Sequence, residues 1–297
     1  MTNCVFYKIA GITIRVDSDL PITPSTFHPK FKAFETDGRG EDTIYLHHHF
    51  ELPLLSSRPQ SRELYRKPPW VISRSADAYT YAWIPQSADD DADRQRMAVF
   101  SLDHTRSDFY NDEVGEYQFR TGDLESLTLF PTDQILLARI LADRKACFVH
   151  SAGIVQDRQG YLFVGKSGAG KSTITQLFSG QSEVLCDDRN IIRRWPKGFS
   201  VHGSWSHGDI PDVSSGDVPL KAIFFLNQAS QNHLELMKNR WKIIQKLLSC
   251  LIRPFITADW WKKTLDLVEV IANEVPCYEL YFDTSGEIVE AVLSVTC

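Results

Sequence analysis

Gly165-Lys166-Ser167-Gly168-Ala169-Gly170-Lys171-Ser172, followed at once by Thr173, is the stretch that decides how the chain is read. It matches G-x-x-x-x-G-K-[ST] in full, the glycine loop that wraps nucleotide phosphates. The flanks suit it. Tyr161-Leu162-Phe163-Val164 ahead of it is a short apolar run that predicts a buried strand. Ser172 to Phe178 behind it predicts a short helix, with Gly180 placed to end it. Strand, loop and helix in that order separate the motif from a chance match in a glycine-containing turn.

The residue types carry the chemistry. Gly165, Gly168 and Gly170 open backbone conformations closed to residues with a Cβ, so consecutive N–H groups can point inward at phosphate oxygens. Ser167, Ala169 and Thr173 belong to the same cofactor-binding run. The helix N-terminus adds partial positive charge at the same spot. Lys171 is placed to reach the β- and γ-phosphates, and the Ser172 hydroxyl to ligate Mg²⁺. A nucleotide and Mg²⁺ are the cofactors expected.

A second feature follows closely. Only Gln181-Ser182-Glu183 separates Gly180 from a new apolar run, Val184-Leu185-Cys186, which ends on Asp187-Asp188. A strand ending in two carboxylates beside a phosphate loop is where a nucleotide site needs a metal partner and a base. An acidic turn is the plainer alternative, since Asp is common in turns.

Composition narrows the classes. A chain of 297 residues suits one large or two ordinary domains, and 43% hydrophobic residues supply a proper core. The net charge of −6 is mild and no basic cluster stands out, so neither nucleic acid nor an anionic membrane is expected as partner. No apolar run approaches a membrane span, and the N-terminus does not read as a signal peptide. The six cysteines are scattered without C-x-x-C pairing, as in a cytoplasmic protein with reduced thiols.

Residues 1 to about 125 read as strands and turns. Candidates are Val5–Val16 (bent or broken at Gly11), Thr43–Leu46, Trp70–Arg74, Ala78–Ile84 and Met97–Leu102. His47-His48-His49 is expected on a solvated edge, because neighbours on a strand point to alternate faces and three in a row do not chelate together easily. Asp89-Asp90-Asp91 with Asp93 reads as a hairpin loop; a calcium loop would need a central glycine that is missing.

From Thr132 the periodicity becomes helical through Ala142, followed by a strand at Lys145–His150 and a hairpin turning at Asp157–Gly160. The composition shift puts a domain boundary between about 120 and 132, giving a β-rich domain at 1–128 and a catalytic domain at 129–297. Trp195 to Asp209 reads as a loop, either a lid or an ordinary surface loop with Trp anchors. Leu220–Leu226 reads as a buried strand. Beyond about 233 the chain reads as helical, with Trp241, Ile243, Ile244, Leu247, Leu248 and Leu251 on one apolar face, and then a helix at Asp259–Ala272. Cys277–Phe282 and Ile288–Leu293 close the fold as strand and helix.

His150-Ser151-Ala152-Gly153, a hairpin, the glycine loop and Asp187-Asp188, in that order, resemble the catalytic domain of HPr serine kinase/phosphorylase, whose fold is shared with phosphoenolpyruvate carboxykinase. The resemblance covers roughly residues 132 to 293. It implies an α/β fold: an HPr kinase-like domain behind a β-rich N-terminal one. It also implies Mg²⁺-ATP-dependent phosphorylation of a hydroxyl. On that pattern the loop amides and Lys171 hold phosphates, Ser172 and Asp187 hold the metal, Asp188 is the base, and His150 sits near the phosphates. A buried structural histidine is the alternative for His150. The glutamate-arginine-glycine signature of members that also remove phosphate is absent after the Asp pair. Gly203 to Asp209 instead resembles small HPr kinase-like proteins of modified-peptide biosynthesis, with Asp209 in place of the missing acidic ligand. The N-terminal half does not match the usual companion domain.

The function expected is therefore a serine-hydroxyl kinase acting on a small protein or precursor peptide. The N-terminal half would grip substrate at an exposed sheet edge or support a homo-oligomer. A small-molecule kinase acting on free serine and a non-catalytic nucleotide-binding regulator are the alternatives.

Overall fold

The computed structural model describes residues 2–51, 61–84, 96–128 and 133–295. Among these residues the fold is mixed α/β with two eight-stranded sheets, and the chain divides into two compact units, Met1–Asp133 and Gln134–Cys297. Thr132 and the Asp89–Asp93 run lie outside the described residues.

In the N-terminal unit, alternating apolar residues make β1 (Thr2–Ile9) and β2 (Ile12–Ile22), joined through Ala10 and Gly11 at φ of 48° and 75°. A short 3-10 turn at Pro29–Phe34 follows. Then come β3 (Thr43–His49), β4 (Arg62–Lys67), β5 (Trp70–Arg74), β6 (Ala78–Trp83), β7 (Met97–Ser101) and β8 (Arg106–Tyr110). The sheet order is β1-β2-β3-β8-β7-β6-β5-β4, and β2, β3 and β8 run parallel. Ile14, Val16, Ile44, Leu46 and Phe109 point to the buried face. Helix α1 (Glu113–Thr121) adds Phe119 to the unit's core.

One expectation fails here, and two elements went unpredicted. His47-His48-His49 is no solvated edge, since β3 pairs with β2 on one side and β8 on the other, and His48 is fully buried. Strand β8 escaped notice because only Ser107 and Phe109 of its five residues are buried. Helix α1 escaped because only Gly115 and Phe119 are buried; its start is set locally, by the Asp112 carboxylate accepting from Gly115 N–H.

The C-terminal unit opens within α2 (Asp133–Ala142), from Gln134 on, and has two long strands, β9 (Ala146–Gln156) and, further on, β14 (Asp217–Gln228). Between them lie β10 (Gln159–Val164), α3 (Lys171–Leu177), β11 (Glu183–Cys186), β12 (Arg189–Trp195) and β13 (Gly198–His202). After β14 come β15 (His233–Leu236), α4 (Arg240–Ser249), α5 (Ala258–Glu274), β16 (Cys277–Phe282) and α6 (Ile288–Ser294). Strand β9 pairs through Ala146–His150 with β12, then through Ser151–Gln156 with β10. Strand β14 likewise passes from β13 to β10 and β16. The strands β9-β12-β13-β14-β10 therefore close on themselves.

Period-2 alternation fills both faces. Leu162 and Val164 of β10 join one core with Ile243 and Leu247 of α4 and Val268 and Ile271 of α5. Tyr161 and Phe163 join the other, with Ile174 of α3 and Ile288 and Val292 of α6. Each such burial stabilises by about 1.5–3 kcal/mol.

The stretch expected as one loop from Trp195 instead begins with the β12/β13 hairpin, leaving only residues beyond His202 irregular. Residues 233–236 are a strand, not a helix. Trp241, expected inward, is 76% exposed on α4. Among the described residues no helix is long and apolar enough to cross a membrane, and the five cysteines among them are free thiols.

Candidate functional site

Topology gathers the residues. Strands β9 and β10 run antiparallel until Val164 meets Ser151. There they part: β10 enters the glycine loop, and His150 sits on the strand beside it, its carbonyl 3.4 Å from the Gly165 amide. Strand β11 runs along β9 and stops at Cys186, and β12 starts with Arg189 paired to His150. The Asp187-Asp188 link is thus laid against the end of β9, where Ser151 N–H donates to the Asp188 carbonyl at 2.9 Å.

The loop takes the conformations its glycines permit. Gly168 and Gly170 have φ of 79° and 95°, in the left-handed region. Gly170 is the N-cap of α3, and a Cβ there would lie 2.7 Å from the ring of Phe282. The Gln228 side-chain amide donates to the Gly168 carbonyl at 3.1 Å, tying the loop to the end of β14. Lys166, Ser167 and Gly168 are exposed, Ala169 is half-buried, and Thr173 follows Ser172 in the first turn of α3.

Asp188 is the electrostatic centre. Its Oδ1 accepts from His150 Nε2 at 2.6 Å, and its Oδ2 lies 2.8 Å from Arg189 Nη1. The buried Lys171 puts its ammonium 3.5 Å from Oδ1. Burial alone would push the carboxyl upward, but the His150 hydrogen bond and the Arg189, His150 and Lys171 charges outweigh it, so it sits below the ordinary carboxylate value.

Asp187 is held differently. It is 1% exposed, and its two oxygens accept from the amides of Gly208 at 2.6 Å and Ile210 at 3.0 Å. The Ser172 hydroxyl stands 3.5 Å from Asp187 Oδ2 and 3.1 Å from Asp209 Oδ2. One hydroxyl and two carboxylates make an all-oxygen donor set, the chemistry a hard dication such as Mg²⁺ takes.

All the expected site residues from His150 to Asp188 thus lie around one loop. Two others escaped the sequence reading. Arg189 joins His150 and Lys171 beside Asp188; in sequence it is one arginine in a strand rich in them. Asn190 is fully buried, and its amide donates to the carbonyls of Ser151 and Cys186, at 2.7 and 3.0 Å, stapling β9 to the end of β11. The signal was available in Gly153, whose missing Cβ would sit 2.6 Å from the Asn190 side chain.

No protein-family model matches the chain, and no curated protein matches it. Among solved structures, that of the Hpr(Ser) kinase/phosphatase from Coxiella burnetii is similar at 12% identity and a TM-score of 0.23, over 43% of this chain and 92% of that one. A likeness that slight carries no weight for function, which has to rest on the geometry above.

Proposed function

We propose that the C-terminal unit is an ATP- and Mg²⁺-dependent kinase that phosphorylates a hydroxyl, serine first among candidates, on a small protein or peptide. The observation that carries this reading is the convergence on one glycine loop of three acids in two different surroundings. Asp188 lies among His150, Lys171 and Arg189, and Asp187 and Asp209 lie about the Ser172 hydroxyl. A protein that only binds nucleotide has little use for the first of these.

The roles follow. Loop amides and Lys171 hold the phosphates, and Ser172, Asp187 and Asp209 hold the cation. When bound, Mg²⁺ would neutralise charge building on the transferring phosphoryl group. Asp188, ionised, accepts a hydrogen bond from the acceptor hydroxyl and aims its oxygen at the γ-phosphorus. It takes the proton as the O–P bond forms and ADP leaves. Phosphoryl transfer passes through a loose transition state, so a weakly basic carboxylate serves, positioning first and deprotonating late. His150 and Arg189 hold that carboxylate. The N-terminal unit, with β1 and β4 at its sheet edges, would present the acceptor peptide.

Asp188→Asn tests this. ATP binding should persist while transfer to serine-containing peptides falls about 10²–10⁴-fold, the usual worth of a positioned base. Lys171→Ala should weaken nucleotide binding itself. A wild type that binds ATP but phosphorylates neither peptide nor free serine would leave a nucleotide-binding regulator.

A further inference from the structure

The N-terminal unit carries a side-chain cluster that phosphoryl transfer does not use. Strand β3 has its phase set by His48, which is buried, stacks on Phe109 at 5.3 Å and donates from Nε2 to the Leu127 carbonyl at 2.7 Å. Burial lowers its pKa to about 4, so it is a neutral core residue. With His48 inward, His47 and His49 share the outer face. Their rings stack with centroids 4.1 Å apart and planes 7° apart.

Both reach one carboxylate on the neighbouring strand. His47 Nε2 is 2.7 Å from Asp19 Oδ1, and His49 Nδ1 is 3.0 Å from Asp19 Oδ2. One ligand atom from each of the three residues lies within 4.8 Å of the others. The far nitrogen of His49, Nε2, is 3.0 Å from Asp108 Oδ1 on β8, and the ring rests on Tyr110 at 4.9 Å.

We propose that Asp19, His47 and His49 bind a first-row transition-metal dication, with Zn²⁺ the best-suited probe, through the Asp19 carboxylate, His47 Nε2 and His49 Nδ1. Two imidazoles and a carboxylate are a donor set such ions take. Asp108 plays the outer role usual for a ligating histidine, accepting a hydrogen bond from the far N–H and so leaving Nδ1 for the metal. Metal–nitrogen bonds of about 2.0–2.1 Å put ligand atoms roughly 3.3 Å apart in a tetrahedron, so binding draws the three ligand atoms together and turns the two rings, 7° from parallel here, out of their stack toward one ion. The His47 and Asp19 side chains are 40% and 49% exposed, so a fourth position opens to solvent for water or an external ligand.

The test uses the full chain, stripped with chelator and titrated with Zn²⁺ under excess Mg²⁺ by calorimetry, with Co²⁺ absorption reporting the coordination. Wild type should take up one Zn²⁺ that His47→Ala, His49→Ala and Asp19→Ala each abolish. Asp108→Asn should keep that ion at affinity about 10–100-fold lower. Asp187→Asn, in the other unit, should keep it at full affinity. Urea midpoints establish that each variant folds, and Asp19→Ala serves if a histidine variant does not. No Zn²⁺ uptake by wild type, or uptake unchanged in the Asp19 and histidine variants, overturns the proposal.

Discussion

At the scale of single residues, Asp188 is the group on which catalysis and stability both bear. Its carboxylate accepts from His150 and pairs with Lys171 and Arg189. Asp188→Asn should therefore destabilise the fold by about 1–3 kcal/mol at neutral pH, the worth of charge-assisted hydrogen bonds at a mostly buried site. The sign with pH follows from the lowered folded-state value. Such a group contributes fully above its unfolded pKa of about 3.9, and the contribution fades as pH falls through the lower folded value. Urea midpoints of wild type and Asp188→Asn should thus differ most near neutrality and draw together in acid. A gap that widened on acidification would mean the carboxyl is held above its ordinary value instead.

At the scale of elements, the loop and α3 form one unit whose shape depends on Gly170. Its φ of 95° would cost a residue with a Cβ about 1–2 kcal/mol, and the Phe282 ring stands 2.7 Å from where that Cβ would go. Gly180, at φ 78° just beyond the helix, has nothing within 4 Å of its virtual Cβ. Gly180→Ala should lower stability by about 1 kcal/mol and leave nucleotide affinity alone, whereas Gly170→Ala should cost more and weaken ATP binding. Equal nucleotide affinity in the two variants would mean the loop does not grip phosphate through its backbone. This strand-loop-helix was legible because the apolar run, the glycines and the helix that define it are contiguous in sequence. Strand β15 was not: Leu234 and Leu236 fit a helical stripe as well as a strand, and what decides is pairing with β16, some 45 residues later.

At the scale of the whole chain, legibility divides along the same physical line. Asp187-Asp188 could be read because it follows the loop so closely in sequence. The outer cluster could not, because Asp19 and His47 are 28 residues apart and meet only when β2 and β3 pair in register. A triplet of histidines by itself says only that its members alternate. Two sites built in two units make separate claims about where ligands act, and amide hydrogen exchange on the full chain reads both. Excess ATP with Mg²⁺ should slow exchange at residues 165–173, 186–190 and 203–210, since loop amides, the Asp pair and the Gly208 and Ile210 donors close around one ligand. Zn²⁺ should slow it instead along β2, β3 and β8, where the three ligands and Asp108 are strung. Slowing by nucleotide in β2 and β3, with the 165–173 amides unchanged, would place the nucleotide in the wrong unit and overturn the kinase reading at its first step.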